Sequence, residues 1–416
     1  MTRGIKILLY FLIITIITCL IFFSYSFTKK IRADLKHKDI LLLKDYRGKL
    51  LPETQFTKLY LKKIPLDKDS NLNIEKKSMP QSYNIENKFF IEIDKDNVII
   101  VKSNGTIAYY KINDFLKNKL NEKKDIKNIF DKKISSLGIL GTMIHKNEIF
   151  VSYAKSSIKN NNCFHMAISK AKLNYKNLSF KEIFSTKNCD ESSGSDFGGG
   201  RMVALKENNK EYILLTTSDY SGENAQDLKS PYGKILQISL INYQYEIFSL
   251  GHRNPQGLLN MDNKILSTEH GPMSGDEINL ISKNNNYGWK VASYGEPYKN
   301  FSQKNDYKLL KNHKKNNFEE PIYAYTPAIG ISEIVNVNKN FENKWENNFL
   351  VTSLNGRSIF RTIFGENFTK VITQEKIFIG ERIRDIIYDK NNNIYLLSLE
   401  DTKSIGILTK KDLSLN

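Results

Sequence analysis

Cysteine and tryptophan are scarce in this chain, at three and two of 416 residues. The cysteine spacing fits no zinc motif, which excludes a zinc-built fold. Cys19 lies in an apolar segment, so only Cys163 and Cys189 remain. They allow one disulfide if the domain is exported, or stand as two thiols. Long amphipathic helices are nearly absent, and the best candidate, Ile112–Lys124, is short. Lysines come scattered or in pairs such as Lys314-Lys315, and no nucleic-acid motif is present. The net charge of +17 therefore reads as a solvated basic surface, with no nucleic-acid partner. No clean internal repeat stands out, so the chain's self-similarity gives no count of structural units.

What is present sets the class. Hydrophobic residues make up 40% and aromatic residues 11%, which rules out a disordered chain. The length suits one large domain or two ordinary ones. Ile7 to Thr28 carries no charged residue, and a stretch of about 22 residues suffices to cross a bilayer as a helix. Arg3 and Lys6 precede it; Lys29, Lys30 and Arg32 follow, so both flanks are basic. The run is long for a signal peptide and no small-x-small cleavage site follows it. The expectation is a single-pass anchor over residues 1–30, with a cleaved signal peptide as the rival. The bulk of the chain would then be periplasmic or extracellular.

Residues 31–84 are polar and lysine-rich and read as a tether leading into the first strand. From 85 to 416 the pattern is short β-rich runs between Asn, Asp and Gly turns. Examples are Phe89–Ile93, Asn97–Val101, Ile149–Tyr153, Tyr212–Thr217, Asn348–Ser353 and Ile394–Ser398. The fold class is all-β, and at this length a propeller of four-stranded blades is the economical architecture.

Unusual residues concentrate between Ser195 and Tyr298. In order come Ser195–Arg201, Ser218-Asp219-Tyr220, Asn224–Leu228, Gly251–Leu258, Glu269–Ile281 and Asn286–Trp289. They read as loops set on strands, where binding groups collect. An arginine such as Arg253 offers a planar fork of donors to carboxylates or vicinal carbonyls. Glu269, Asp276 and Glu277, with nearby carbonyls, suit a hard cation such as calcium. Taken singly, each is ordinary turn chemistry.

Their order resembles the glucose/sorbosone and aldose sugar dehydrogenases that use pyrroloquinoline quinone (PQQ). The carriers are Gly251-His252-Arg253-Asn254-Pro255-Gln256-Gly257-Leu258, then Glu269-His270-Gly271-Pro272, Asp276–Ile281, Asn286-Tyr287-Gly288-Trp289, and Gly380–Asp385. The resemblance implies a six-bladed β-propeller and oxidation of an aldose's anomeric hydroxyl by hydride transfer to PQQ with calcium. It implies that Gln226, Arg253 and Asn254 contact the quinone and that Arg382 and Arg384 face its carboxylates. It implies that Gly271 and Pro272 offer carbonyls to the cofactor's calcium, and that Glu277 and Tyr287 match a second calcium site. His252 and His270 are structural on this reading.

Two departures stand out. The family's general base is a histidine four residues before an arginine; counting back from Arg201 reaches Phe197. A glycine inserted within Gly198–Gly200 would instead place Asp196 there, a base only if its pKa is raised. Asp219 matches the acid that orients that base. Asn355 stands where the family often has a lysine. The competing expectation is thus a catalytically impaired propeller that binds carbohydrate or protein.

Overall fold

The computed structural model describes residues 42–43, 57–66, 88–117, 124–135, 137–157, 163–191, 198–219, 222–297 and 309–411. The expected anchor, Ile7–Thr28, lies outside them. Among the described residues no helix is long and apolar enough to cross a membrane.

Nearly all regular structure is antiparallel sheet. Strands Gly199–Glu207, Lys210–Thr217, Lys234–Ser239 and Tyr245–Leu250 form one four-stranded unit, and Pro255–Met261 through Tyr323–Tyr325 form the next. Ile331–Asn336 through Val371–Phe378 form another, flanked at its edge by Leu42–Leu43. An eight-stranded sheet divides into two further units, Phe89–Phe130 and Ile139–Ser185. These two join through parallel pairing of their outer strands, Lys127–Phe130 with Asn177–Phe180. In the last sheet, Tyr60–Pro65 pairs antiparallel with Ser404–Thr409, so an early strand completes the final unit.

The first strand of each unit contacts the first strand of the next, and the sixth contacts the first. Six four-stranded units in a closed ring are consistent with a six-bladed β-propeller. The core is accordingly divided into wedges between neighbouring sheets. Ile99, Val101, Val151 and Ala167 fill one, and Leu140, Phe150, Leu215 and Leu236 the next.

Local chemistry explains the regularity. Three inner hairpins turn on Lys146-Asn147, Asn208-Asn209 and Asp262-Asn263, with both residues at positive φ. That is the type I′ geometry, which matches strand twist and favours Asn and Asp. At the opposite end, five of the six inner strands begin with a register shift, at Ile139, Gly199, Pro255, Ile331 and Ile383. Each shift inserts one extra residue and re-aims the side chains beside it. Gly200 sits in such a bulge at φ +92, where a Cβ would lie 2.4 Å from Leu140 Cβ.

Two expectations need correction. The helix covers only Ile112–Leu116, and Lys124 opens a strand. The motif stretches are also not all loops: Pro255–Met261 and Asp276–Ile281 are strands. Glycine and polar residues there disguise backbone that is paired along most of its length, with a bulge at Gln256.

Candidate functional site

The bulged starts of the inner strands bring Arg253, Asn254, Arg382 and Arg384 to one end of the ring. The loop after Thr217 is held by two buried charges of opposite sign. Asp219 accepts amides of Gly222 (2.9 Å), Asn224 (2.8 Å) and Ala225 (2.5 Å). Lys234 donates to the carbonyls of Asn224 (2.7 Å), Ala225 (3.0 Å) and Tyr232 (2.7 Å). Burial pushes the Lys234 ammonium down to about 8, against the pull of Asp219 and Asp227. The loop presents Gln226, whose amide donates to Trp289 O at 2.5 Å and exchanges bonds with Asn286. Trp289 Nε1 returns a bond to Asp219 O at 2.6 Å.

Arg253 and Asn254 are positioned from below by Glu269. One carboxylate oxygen accepts the Arg253 amide and, at 3.2 Å, the Asn254 amide. The other lies 3.0 Å from His252 Nδ1. His252 Nε2 meets Ser249 Oγ at 2.8 Å, and the ring stacks on Tyr287 at 4.7 Å. Ser249, His252 and Glu269 have the order of a nucleophile, base and acid, but Ser249 and His252 have no exposure. They serve as a strut. Arg253 NH1 donates to His270 O (3.1 Å) and Gly271 O (2.6 Å), with its guanidinium 5.4 Å from the Trp289 ring. Asn254 Oδ1 accepts from Gly199 N at 3.2 Å and Gln256 Nε2 at 2.8 Å. His270 Nε2 donates to Ile331 O at 2.5 Å, leaving Nδ1 toward Asn254 at 3.4 Å. Burial and the Arg384 and Arg253 charges hold His270 below its usual range despite Asp276, so the ring is neutral at pH 7.

The two late arginines flank Glu400. Arg384 Nε meets one oxygen at 2.7 Å, and Arg382 Nε the other at 3.1 Å. Burial raises Glu400, but these two cations outweigh it and hold the carboxyl below its usual range. Arg384 NH1 also donates to Gln256 Oε1 at 2.9 Å. A continuous chain therefore runs Glu400–Arg384–Gln256–Asn254–His270, with Arg253 on the same His270 peptide. Gln256 and Glu400 were missed from the sequence. Gln256 lies inside the Gly251–Leu258 string and could have been found; nothing marked Glu400.

Beneath this chain, Arg201 is buried between Glu333 (2.6 Å) and Asp385 (3.0 Å), and it donates to Gln256 O at 3.2 Å. It ties three other units together.

Asp196 and Phe197 lie outside the described residues. The chain before them is fixed at Asp190, paired with Phe164, and by the Cys163–Cys189 disulfide. The chain after them is fixed by Gly198 N on Ser218 Oγ at 2.7 Å. Asn355 is exposed, in the turn before Ser358.

The four cofactor arginine and asparagine positions thus converge, with Gln226 joined through Trp289. Among the described residues, Arg253, Arg382 and Arg384 bring three guanidinium groups to the side where Glu400 lies, a donor set that fits an anionic quinone. The calcium positions fit less directly. Gly271 O already accepts Arg253 NH1, and a cation there requires that guanidinium to turn. Tyr287 OH donates to Leu280 O at 2.6 Å and accepts Ser282 N at 3.0 Å, away from Glu277. Burial, then the Glu269 and Asp276 charges, push Glu277 well above its usual range; His313 Nε2 lies 3.9 Å from it. Among the described residues no group of three or more His, Cys, Asp and Glu side chains is arranged as a metal site.

A closed ring of four-stranded sheets, consistent with a β-propeller, thus carries an arginine-rich site at its bulged end. Residues 88–408 match the glucose/sorbosone dehydrogenase family, and the chain belongs to it. It is 28% identical over 229 residues to an Escherichia coli aldose sugar dehydrogenase, covering 51% of this chain and 59% of that protein. It is 44% identical over 96 residues to quinoprotein glucose dehydrogenase B of Acinetobacter calcoaceticus, covering 19% and 20%. These matches span less than two thirds of either relative. The apo crystal structure of the E. coli enzyme superposes with a TM-score of 0.63 at 20% identity, covering 77% of this chain and 94% of that one. The PQQ-bound Streptomyces coelicolor aldose sugar dehydrogenase gives 0.57 at 17%, covering 85% and 98%. At these identities the structural likeness speaks for the fold.

Proposed function

We propose that the chain is a quinoprotein oxidoreductase that oxidises the anomeric hydroxyl of an aldose, with PQQ and calcium as cofactors. The observation that carries this is the hydrogen-bonded chain from Glu400 through Arg384, Gln256 and Asn254 to His270, beside Arg253. When bound, PQQ supplies the hydride acceptor and its calcium a Lewis acid. Arg382 and Arg384 hold carboxylates of the cofactor, preoriented by Glu400 and Gln256. Arg253 and Asn254 would hold the quinone edge, and Gly271 and Pro272 would offer their carbonyls to the calcium. Asp196 would be the base that takes the sugar hydroxyl proton.

A second reading is a propeller that binds without catalysis. It is favoured by the Asp219 carboxylate, which accepts three loop amides. Such an acid is a loop anchor, and its role as orienter of a base belongs to the first reading only.

We further propose an oxidising location, periplasmic or extracellular, with Ile7–Thr28 as anchor. The Cys163–Cys189 disulfide supports it.

The test is PQQ titration followed by fluorescence quenching, comparing wild type with Arg384→Met. The expected loss is about tenfold or more in affinity, the worth of one charge-assisted pair. Equal affinity would remove Arg384 from the site, and no saturable binding by the wild type would overturn the cofactor reading.

A further inference from the structure

Lys88 precedes the first inner strand and was singled out by no motif. Its ammonium lies 5.3 Å from the centre of the Phe90 ring, and Arg201 Cζ lies 5.5 Å from the same ring. One aromatic ring thus holds two cations at the bulged end of the ring of strands. The neighbouring strand of the last unit is stitched to this segment, with Ile91 N on Asp385 Oδ2 at 2.9 Å and Ser398 Oγ on Phe89 O at 2.8 Å. Arg384 and Glu400 stand on either side of that stitch in sequence.

The charges that act on Lys88 are Arg384, Glu400 and Arg201. Glu400 is already bonded by both Arg382 and Arg384. Arg201 is neutralised by Glu333 and Asp385. Among the described residues Lys88 makes no ion pair of its own, although it is half-buried. A cation partly withdrawn from water beside two guanidinium groups, with the one carboxylate that acts on it among the described residues engaged elsewhere, is destabilised until an anion binds. A bound anion relieves that penalty.

We propose that Lys88 is a ligand for a carboxylate of the anionic quinone, closing with Arg384 the cationic side of the site. This rests on the cofactor reading given above.

The consequence is a proton linkage. Burial, with Arg384 and Arg201 against Glu400, pushes the Lys88 ammonium down to about 7 in the ligand-free protein. A carboxylate bound beside it restores the charge, so binding takes up a proton above pH 7 and affinity falls from pH 7 toward pH 9.

The test is calorimetric titration of the full chain with PQQ at pH 6.5 and 9, in two buffers of different ionisation enthalpy. Wild type is expected to bind about tenfold more weakly at pH 9 and to show proton uptake there. Lys88→Met is expected to bind about tenfold more weakly at pH 6.5, with this pH dependence reduced. Lys88→Arg, which stays charged, keeps the pH 6.5 affinity and loses the fall at pH 9. It also covers the case in which the methionine variant does not fold. Wild-type binding with the affinity and proton uptake unchanged in both variants overturns the role of Lys88 alone. Absence of wild-type binding overturns the cofactor reading with it.

Discussion

Glu92, Glu333 and Asp385 surround one guanidinium, that of Arg201, near the axis of the ring. Three carboxyls against one buried cation cannot all ionise cheaply. Burial pushes Glu92 from 4.5 to about 7, opposed by a hydrogen bond from Thr142, and pushes Glu333 to about 7 against the Arg201 charge. The folded pKa values exceed the unfolded ones, so between about pH 4.5 and 7 the folded chain keeps protons that the unfolded chain releases. This contribution to stability is fully present at low pH and is lost as pH rises to about 7. Glu92→Gln keeps a partner for Thr142 and removes one titrating group. Its Tm relative to wild type should gain about 1–3 °C between pH 5 and pH 8, read by thermal melts at both. A constant difference across that range would contradict the assignment. At this scale the sequence was informative where side chains act through a motif. Arg253, Asn254 and Arg384 were legible because their neighbours in sequence are also their neighbours in the site. Glu400 was not, because it meets Arg384 across a hairpin that no motif marks, and Lys88 was not, because its strand comes beside that of Arg384 only where the first and last units meet.

Hairpins and bulges carry the next level. The abundant asparagines, easily put down to composition, occupy left-handed turn positions in successive units, as at Asn147, Asn209 and Asn263. That geometric repeat was hidden in the sequence because Lys, Asn and Asp exchange freely at the first turn position. The inner strands were misread because the bulge residues, such as Gly199, Gly200 and Gln256, break the two-residue alternation from which strands are recognised. The helix at Ile112 was overextended because the polar stretch Lys117–Lys124, with Leu120 as its one apolar residue, carries no Gly or Pro to signal a stop after Leu116. The open choice at Cys163 and Cys189 resolves as a disulfide spanning 26 residues, beside the segment that carries Asp196. A loop of that size is worth about 3.5 kcal/mol in chain entropy. Replacing both cysteines by serine should lower stability by roughly that amount in denaturant melts. An unchanged midpoint would show that the Phe164–Asp190 pairing alone holds this loop.

Over the whole molecule, the all-β class and a propeller of four-stranded blades were legible from short apolar runs, turn residues and length, and six blades followed from the resemblance; the strand that closes the ring was not legible. Closure depends on Tyr60–Pro65 finding Ser404–Thr409 across almost the entire chain, a pairing that no local pattern announces. The ring also explains why the site lies where it does. All inner strands start at one end, so their bulges bring Gly199, Gln256, Ile331 and Arg384 within reach of one another. A cavity of about 490 Å³, lined by Met261, Asn336, Phe349, Phe364 and Phe368, lies at the other end of these strands. The site at the bulged end is instead defined by charge and hydrogen bonding. Its chemistry turns on whether a chain without the expected histidine still moves a proton and a hydride. The most direct measurement loads the protein with calcium and PQQ, adds excess aldose, and follows the quinone absorbance by stopped flow, with Asp196→Asn alongside. Rapid reduction in the wild type and its loss in Asp196→Asn is the predicted result. A quinone that binds yet stays oxidised across a broad panel of aldoses would contradict the account and leave a binding propeller.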